Sequence, residues 1–182
     1  MPQVLLAATI SVCESKYPKQ RLHIYLSFDD DAISPLYLKT LQNLQVPSIP
    51  DNNYPYTMDI QFRGVRFTLS RFPHSGKRLT QRSTFDLIEQ HYVKEIAYVM
   101  ETPFYMQKDP IFLLFLDSDI ILDSLAIQEF VLHMMKPGVD RVAVTGLITC
   151  STSDHFNPLW VLQDIEYIQG QMLERCLESF CG

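Results

Sequence analysis

The chain has 182 residues, of which 47% are hydrophobic and 20% charged, and a net charge of −6. That is the balance of one ordinary globular domain with its own core, and its acidic surface excludes nucleic acid as a partner. No apolar stretch reaches about 18 residues, which excludes a membrane-spanning helix.

Residues from about Pro2 to Glu14 read as a first helix, ended by Tyr17-Pro18, because the residue before proline is pushed out of the α region. Leu22 to Phe28 reads as a strand that runs into Asp29, Asp30 and Asp31. Ser34-Pro35 opens a second helix, with Ser34 as N-cap and Pro35 in the first turn. Gln45 to Thr57 is loop, and Met58 to Ser70 is strand-like with a hinge at Gly64. Between Ile60 and Phe85 there is no acidic residue, yet Arg63, Arg66, Arg71, Lys77, Arg78 and Arg82 lie there, six of the chain's fifteen cations. Such a run is either a solvated loop or a surface for an anion. Ser75-Gly76-Lys77 ahead of a helix suits the anion, since glycine lets the backbone approach, lysine adds charge, and the helix amino terminus adds more.

A long helix is expected from Thr80 to Met100, ended by Thr102-Pro103. Ile111 to Leu122, IFLLFLDSDIIL, follows. Its six leading apolar residues predict a strand buried on both faces of a parallel sheet. Asp117 and Asp119 sit at its carboxyl end, where open α/β sheets bind ligands. On an extended backbone residues two apart share a side, and two hard oxygen ligands there suit Mg²⁺ or Mn²⁺. The bland alternative is a turn-forming or helix-capping role, expected in any case of Asp123 or Ser124. Leu125 to Met135 is a helix, Arg141 to Leu147 a strand, and Pro158 to about Phe180 a last helix, apolar around much of its circumference. The alternation predicts an α/β domain with a mainly parallel central sheet flanked by helices. Carboxylates for a metal and cations for an anion together suit a nucleotide diphosphate. Cys13, Cys150, Cys176 and Cys181 contain no Cys-x-x-Cys pair and fit free buried thiols; the five histidines are as scattered, and none is assigned to a metal.

At this point the chain resembles the catalytic domain of fungal chitin synthases, processive family-2 glycosyltransferases of the GT-A, Rossmann-like fold. TISVCESKYPKQ, IYLSFDDD, HSGKRLTQ, FLLFLDSDIIL, and VTGLIT with QDIEYIQGQMLERCLESFCG carry the likeness, in order and over nearly the whole chain. The resemblance implies a partial GT-A domain over residues 1–182 that binds UDP-N-acetylglucosamine and Mg²⁺ or Mn²⁺ and extends a β-1,4-linked chitin chain. Asp29 and Asp30 would line the uridine side, Lys77 and Arg78 would sit by the uracil and diphosphate, and Asp117 and Asp119 would hold the metal. The metal and cations would stabilise the leaving UDP.

The departures shape the rest of the expectation. Such domains begin with a strand before the first helix, in the middle of the sheet, and the family's Glu-Asp-Arg and Gln-x-x-Arg-Trp segments have no counterpart here. The chain therefore reads as the donor-binding part of a domain incomplete at both ends. Its general base is expected beyond Gly182, and alone it is expected not to transfer sugar. The chitin oligomer acceptor, the membrane helices and a place at the cytoplasmic face of the plasma membrane belong to the full-length family. Glu166 and Glu178, weighed as substitute bases, match family helix positions and read as structural, and Trp160 and Tyr167 read as core aromatics. Two other readings compete. One is a non-catalytic nucleotide-sugar-binding remnant. The other is a haloacid dehalogenase type phosphatase using Asp117 and Asp119 as nucleophile and acid, although the Gly-Thr turn usual after that motif is replaced by Ile120-Ile121.

Overall fold

A computed structural model of the chain describes residues 2–31, 33–46, 56–101, 110–136, 143–146, 148–149 and 158–170. In order the elements are α1 (Pro2–Cys13), β1 (His23–Asp29), α2 (Pro35–Asn43), β2 (Tyr56–Phe62), β3 (Val65–Phe72), α3 (Lys77–His91), α4 (Val93–Glu101), α5 (Ala126–Met134) and α6 (Pro158–Ile168). The chain divides into two compact units, residues 1–138 and 139–182.

The first unit is built on a three-stranded sheet of order β1-β3-β2. β1 runs parallel to β3, with Leu26 opposite Leu69, and β2 runs antiparallel to it, with Ile60 opposite Phe67. The two-residue alternation of side chains makes the sheet two-faced. Ile24, Leu26 and Phe28 of β1 pack with Val65, Phe67 and Leu69 of β3 and with Met58 and Ile60 of β2. α1 and α2 cover this face through Leu5, Cys13, Tyr37 and Leu41. Cys13 is fully buried and free, and burial raises its pKa above the usual thiol value.

On the other face alternate residues are polar. Their hydroxyls are satisfied by one another and by α3: Ser27 Oγ lies 2.9 Å from Ser70 Oγ and 2.6 Å from Thr84 Oγ1, and Thr84 donates to the Thr80 carbonyl at 2.8 Å. Thr84 has one proton, so Ser27 donates to Thr84 and accepts from Ser70.

Local chemistry sets the element ends. Ser34 Oγ accepts from the Tyr37 amide at 3.1 Å, with Pro35 in the first turn of α2, as expected. The β2–β3 hairpin turns through Arg63 and Gly64, with φ of 50° and 81°. Two successive positive φ angles match the twist of the flanking strands. The helix expected from Thr80 to Met100 is two helices that meet at Tyr92, whose φ of −122° and ψ of 28° close α3.

Two expected strands are not present among the described residues, and the sheet is small and mixed instead of mainly parallel. Residues 110–117 and 143–146 carry no strand pairing. Leu113, Leu114, Phe115 and Leu116 are exposed, at 51%, 45%, 62% and 38%. Burial on both faces requires a neighbour on each edge. No described strand flanks this segment, and the outer edge of β1 also has no neighbour among the described residues. Phe115 instead meets Phe85 of α3 in a tilted ring contact, centroids 5.4 Å apart. In the second unit, α6 exposes Val161, Leu162, Ile165, Tyr167 and Ile168, so Tyr167 is not a core aromatic. Trp160's side chain, Glu178, Cys150, Cys176 and Cys181 lie outside the described residues. Among the described residues no helix is long and apolar enough to cross a membrane.

Candidate functional site

Asp29 is the last residue of β1 and faces the start of α3. Its carboxylate accepts hydrogen bonds from the Ser75 amide at 2.8 Å and the Gly76 amide at 3.1 Å, and His74 Nδ1 lies 3.1 Å away. The Ser75 amide is the main reason that its pKa is lowered below the ordinary carboxylate value, with the Thr80 hydroxyl, His74 and the Gly76 amide adding to it against the cost of desolvation. Gly76 precedes α3 at φ 86°, a conformation that favours glycine. The loop amides that the sequence offers to an anion thus already hold one, the carboxylate of Asp29. Asp31 ties the same loop through the His74 amide at 2.8 Å.

Lys77 then opens α3, and its Nζ meets Asp117 Oδ1 at 2.9 Å. The Asp117 segment is held against α1: the Leu122 amide donates to Ser11 Oγ at 3.0 Å, and the Lys16 amide to the Ser124 carbonyl at 2.8 Å. Asp117 to Ile120 is a tight turn, closed by the Ile120 amide on the Asp117 carbonyl at 3.1 Å. Residues two apart share a side on an extended backbone, and Asp117 and Asp119 lie in a turn instead. Neither Asp123 nor Ser124 caps α5 as expected: the N-cap position is Leu125, with no side-chain cap bond, and Asp123 Oδ1 instead accepts from the Leu125 amide at 2.8 Å in the turn ahead of the helix.

Asp29, Lys77 and Asp117 come from three separate segments and line one cavity of about 590 Å³. Tyr25, Ser27, Thr80, Gln81, Thr84, Phe85, Ile88, Phe115 and Leu116 complete its wall. None of these residues stands out as a site residue in the sequence alone. A signal was present for some: Tyr25 and Ser27 share a strand face with Asp29, and Thr80 and Thr84 share a helix face.

The other three predicted residues are not in the wall. Asp30 accepts from Ser34 Oγ at 2.6 Å and so supports the start of α2. Arg78 and Asp119 are exposed.

The cation run divides in the same way. Arg63 pairs with Glu14 at 2.6 Å and Arg66 with Asp59 at 2.7 Å. Arg71 is buried, its guanidinium 5.0 Å from the Tyr37 ring centre. These three serve the fold, whereas Lys77, Arg78 and Arg82 lie exposed at the start of α3.

Chemically, the cavity offers a carboxylate fixed by backbone amides, an exposed lysine–carboxylate pair, and aromatic and hydroxyl groups. The pair's side chains are 74% and 67% exposed, so it contributes at most about 1 kcal/mol and exchanges partners readily.

No family model and no solved structure matches the chain. Among curated proteins it is 46% identical, over its whole length, to a protein named chitin synthase VI from Metarhizium acridum, of which it spans 27%. It is 44% identical to chitin synthase 7 from Pyricularia oryzae, spanning 21% of that protein, and 42% identical to chitin synthase G from Aspergillus niger, spanning 23%. The chain thus spans about a quarter of the length of the curated relatives it matches. By sequence it is a relative of the fungal chitin synthases, matched along one part of their length.

Proposed function

We propose that this chain is the donor-binding part of a chitin synthase type glycosyltransferase of the GT-A fold. It takes UDP-N-acetylglucosamine together with Mg²⁺ or Mn²⁺. In the whole protein, which is held at the cytoplasmic face of the membrane by other segments and serves cell-wall chitin, the sugar passes to a growing β-1,4-linked chain. The 182 residues alone bind the donor and do not transfer sugar.

The observation that supports this reading is the meeting of Asp29, Lys77 and Asp117 in one cavity of about 590 Å³, a size suited to a small-molecule ligand. Lys77 and Asp117 already touch. A metal diphosphate can replace that contact without leaving either charge unpaired: Asp117 turns to the metal, and Lys77 turns to the phosphate oxygens. Asp119, two residues on in the same turn, would be the second carboxylate for the metal, and Arg78, one residue past Lys77 on α3, would add positive charge near the diphosphate. Asp29 holds the 74–76 loop and lines the nucleoside side, and Asp30 acts beside it through the start of α2. The aromatic Phe85 and Phe115 give the base a surface to stack on.

Partner exchange makes metal and nucleotide mutually dependent. Calorimetric titration with UDP is therefore expected to give clear binding only when Mn²⁺ is present. Asp117→Ala and Lys77→Ala should each weaken that binding by roughly tenfold or more. Equal UDP affinity with and without Mn²⁺, together with no loss in Asp117→Ala, would sink the assignment. Transfer of N-acetylglucosamine by the purified chain would overturn the claim that the donor part is inactive alone.

A further inference from the structure

The scattered histidines acquire a meaning in three dimensions. His23 opens β1, Asp59 lies in β2 and His91 ends α3, and one ligand atom of each lies within 4.8 Å of the other two. The cluster sits at the amino-terminal end of β1, whereas Asp29 is at the other end.

We propose that His23, Asp59 and His91 form a second cation site, for a borderline divalent ion of the Zn²⁺ class, which clips the end of α3 to the sheet. Two imidazoles and one carboxylate, with water in the fourth position, are a donor set for Zn²⁺ or Co²⁺, whereas Mg²⁺ and Mn²⁺ take oxygen ligands.

What distinguishes the cluster from a chance meeting of polar groups is its outer ring of partners. His23 Nδ1 lies 2.7 Å from the Tyr92 hydroxyl, and His91 Nδ1 lies 2.8 Å from the Tyr25 hydroxyl. Arg66 donates to Asp59 Oδ2 at 2.7 Å. Each prospective ligand therefore has one polar atom fixed by a neighbour, the arrangement that orients metal ligands. The atoms that would meet the ion are the other ring nitrogens and Asp59 Oδ1.

The Thr68 hydroxyl links two of those atoms. It donates to Asp59 Oδ1 and lies 2.7 Å from His23 Nε2. Having only one proton, it accepts from His23 Nε2, so His23 carries a proton on Nε2. To take the ion, the ring would carry its proton on Nδ1 instead, donating to the Tyr92 hydroxyl, and the ion would take the place of the Thr68 contact. Bonds of about 2.0–2.1 Å require the ligands to close in, and Asp59 and His91, both exposed, have the freedom to do so.

Titration of the full chain with Zn²⁺ and with Co²⁺ tests this. One equivalent is expected to bind, Co²⁺ should show the intense visible absorption of a tetrahedral site, and Zn²⁺ should raise the thermal midpoint. His91→Ala and Asp59→Asn should each weaken binding by roughly tenfold or more, while Asp117→Asn should leave it unchanged. Both ligand substitutions fall on exposed side chains, and matching far-UV circular dichroism shows that the fold is kept. Unchanged affinity in His91→Ala and Asp59→Asn, a weak octahedral Co²⁺ spectrum, or loss of binding in Asp117→Asn would each overturn the proposal.

Discussion

At the scale of single residues, Asp29 carries the most structural consequence. It ends β1, supports the loop that starts α3, and lines the cavity, all through one carboxylate. Its pKa is lowered in the fold, chiefly by the Ser75 amide. A lowered carboxyl pKa means that the unfolded chain binds more protons across the interval between the two values, so stability rises with pH there. Asp29's contribution is complete above the ordinary carboxylate pKa and is lost as pH falls through the lower folded value. Asp29→Asn keeps one acceptor oxygen but loses the charge that two amides and His74 face. It should cost about 1–2 kcal/mol at neutral pH and flatten the acid limb of the stability curve. Urea unfolding followed across the acid range would measure both, and an unchanged acid limb would show that Asp29 is not the group responsible. Ser34 and Asp30 make the complementary point: a residue placed near a site by sequence can serve a helix start, here by accepting from the N-cap hydroxyl at 2.6 Å.

At the scale of elements, what was legible in the sequence was what local chemistry decides. Pro35 behind Ser34 fixed the start of α2, Leu22 to Phe28 stood out as the strand that runs into Asp29, and Gly64 marked the break between β2 and β3. IFLLFL reads as a strand and is not one, because its pattern describes a strand only if neighbours exist on both sides, and neighbours are not local information. The site was legible in part for the same reason. Asp29, Lys77 and Asp117 stood out as ends of elements, but the wall from Phe85, Thr84 and Tyr25 depends on how α3 lies across β1. The hairpin gives an element-scale prediction. An added Cβ at Gly64 would meet nothing closer than Lys19 Cδ at 3.7 Å, so space is not limiting. The backbone is, at φ 81°. Gly64→Ala should therefore cost about 1 kcal/mol, and Gly64→Asn should cost less, since asparagine tolerates this region better. Denaturation midpoints of the two variants check that order; equal losses would indicate a steric cause instead of a backbone one.

At the scale of the molecule, the first unit has its core on one face of the sheet and an unpaired apolar segment elsewhere. Leu113 and Leu114 are 51% and 45% exposed, they are not in the wall of the cavity, and no described strand pairs with them. Unpaired backbone beside exposed leucine and phenylalanine is the pattern that joins chains edge to edge. The net charge of −6 opposes association, but charge at a distance is screened within about 8 Å at physiological salt, whereas apolar contact is not. The 182-residue chain is therefore expected to self-associate as its concentration rises, and more readily as salt is added. Replacing Leu113 and Leu114 together by lysine should reduce that association sharply. Secondary structure should stay unchanged, because side chains this exposed contribute little to the fold. Sedimentation velocity over a range of concentrations, paired with far-UV circular dichroism, reads both quantities. A wild-type chain that stays monomeric at high salt would mean that the segment finds cover within its own molecule; a doubly substituted chain that associates as before would place the sticky surface elsewhere.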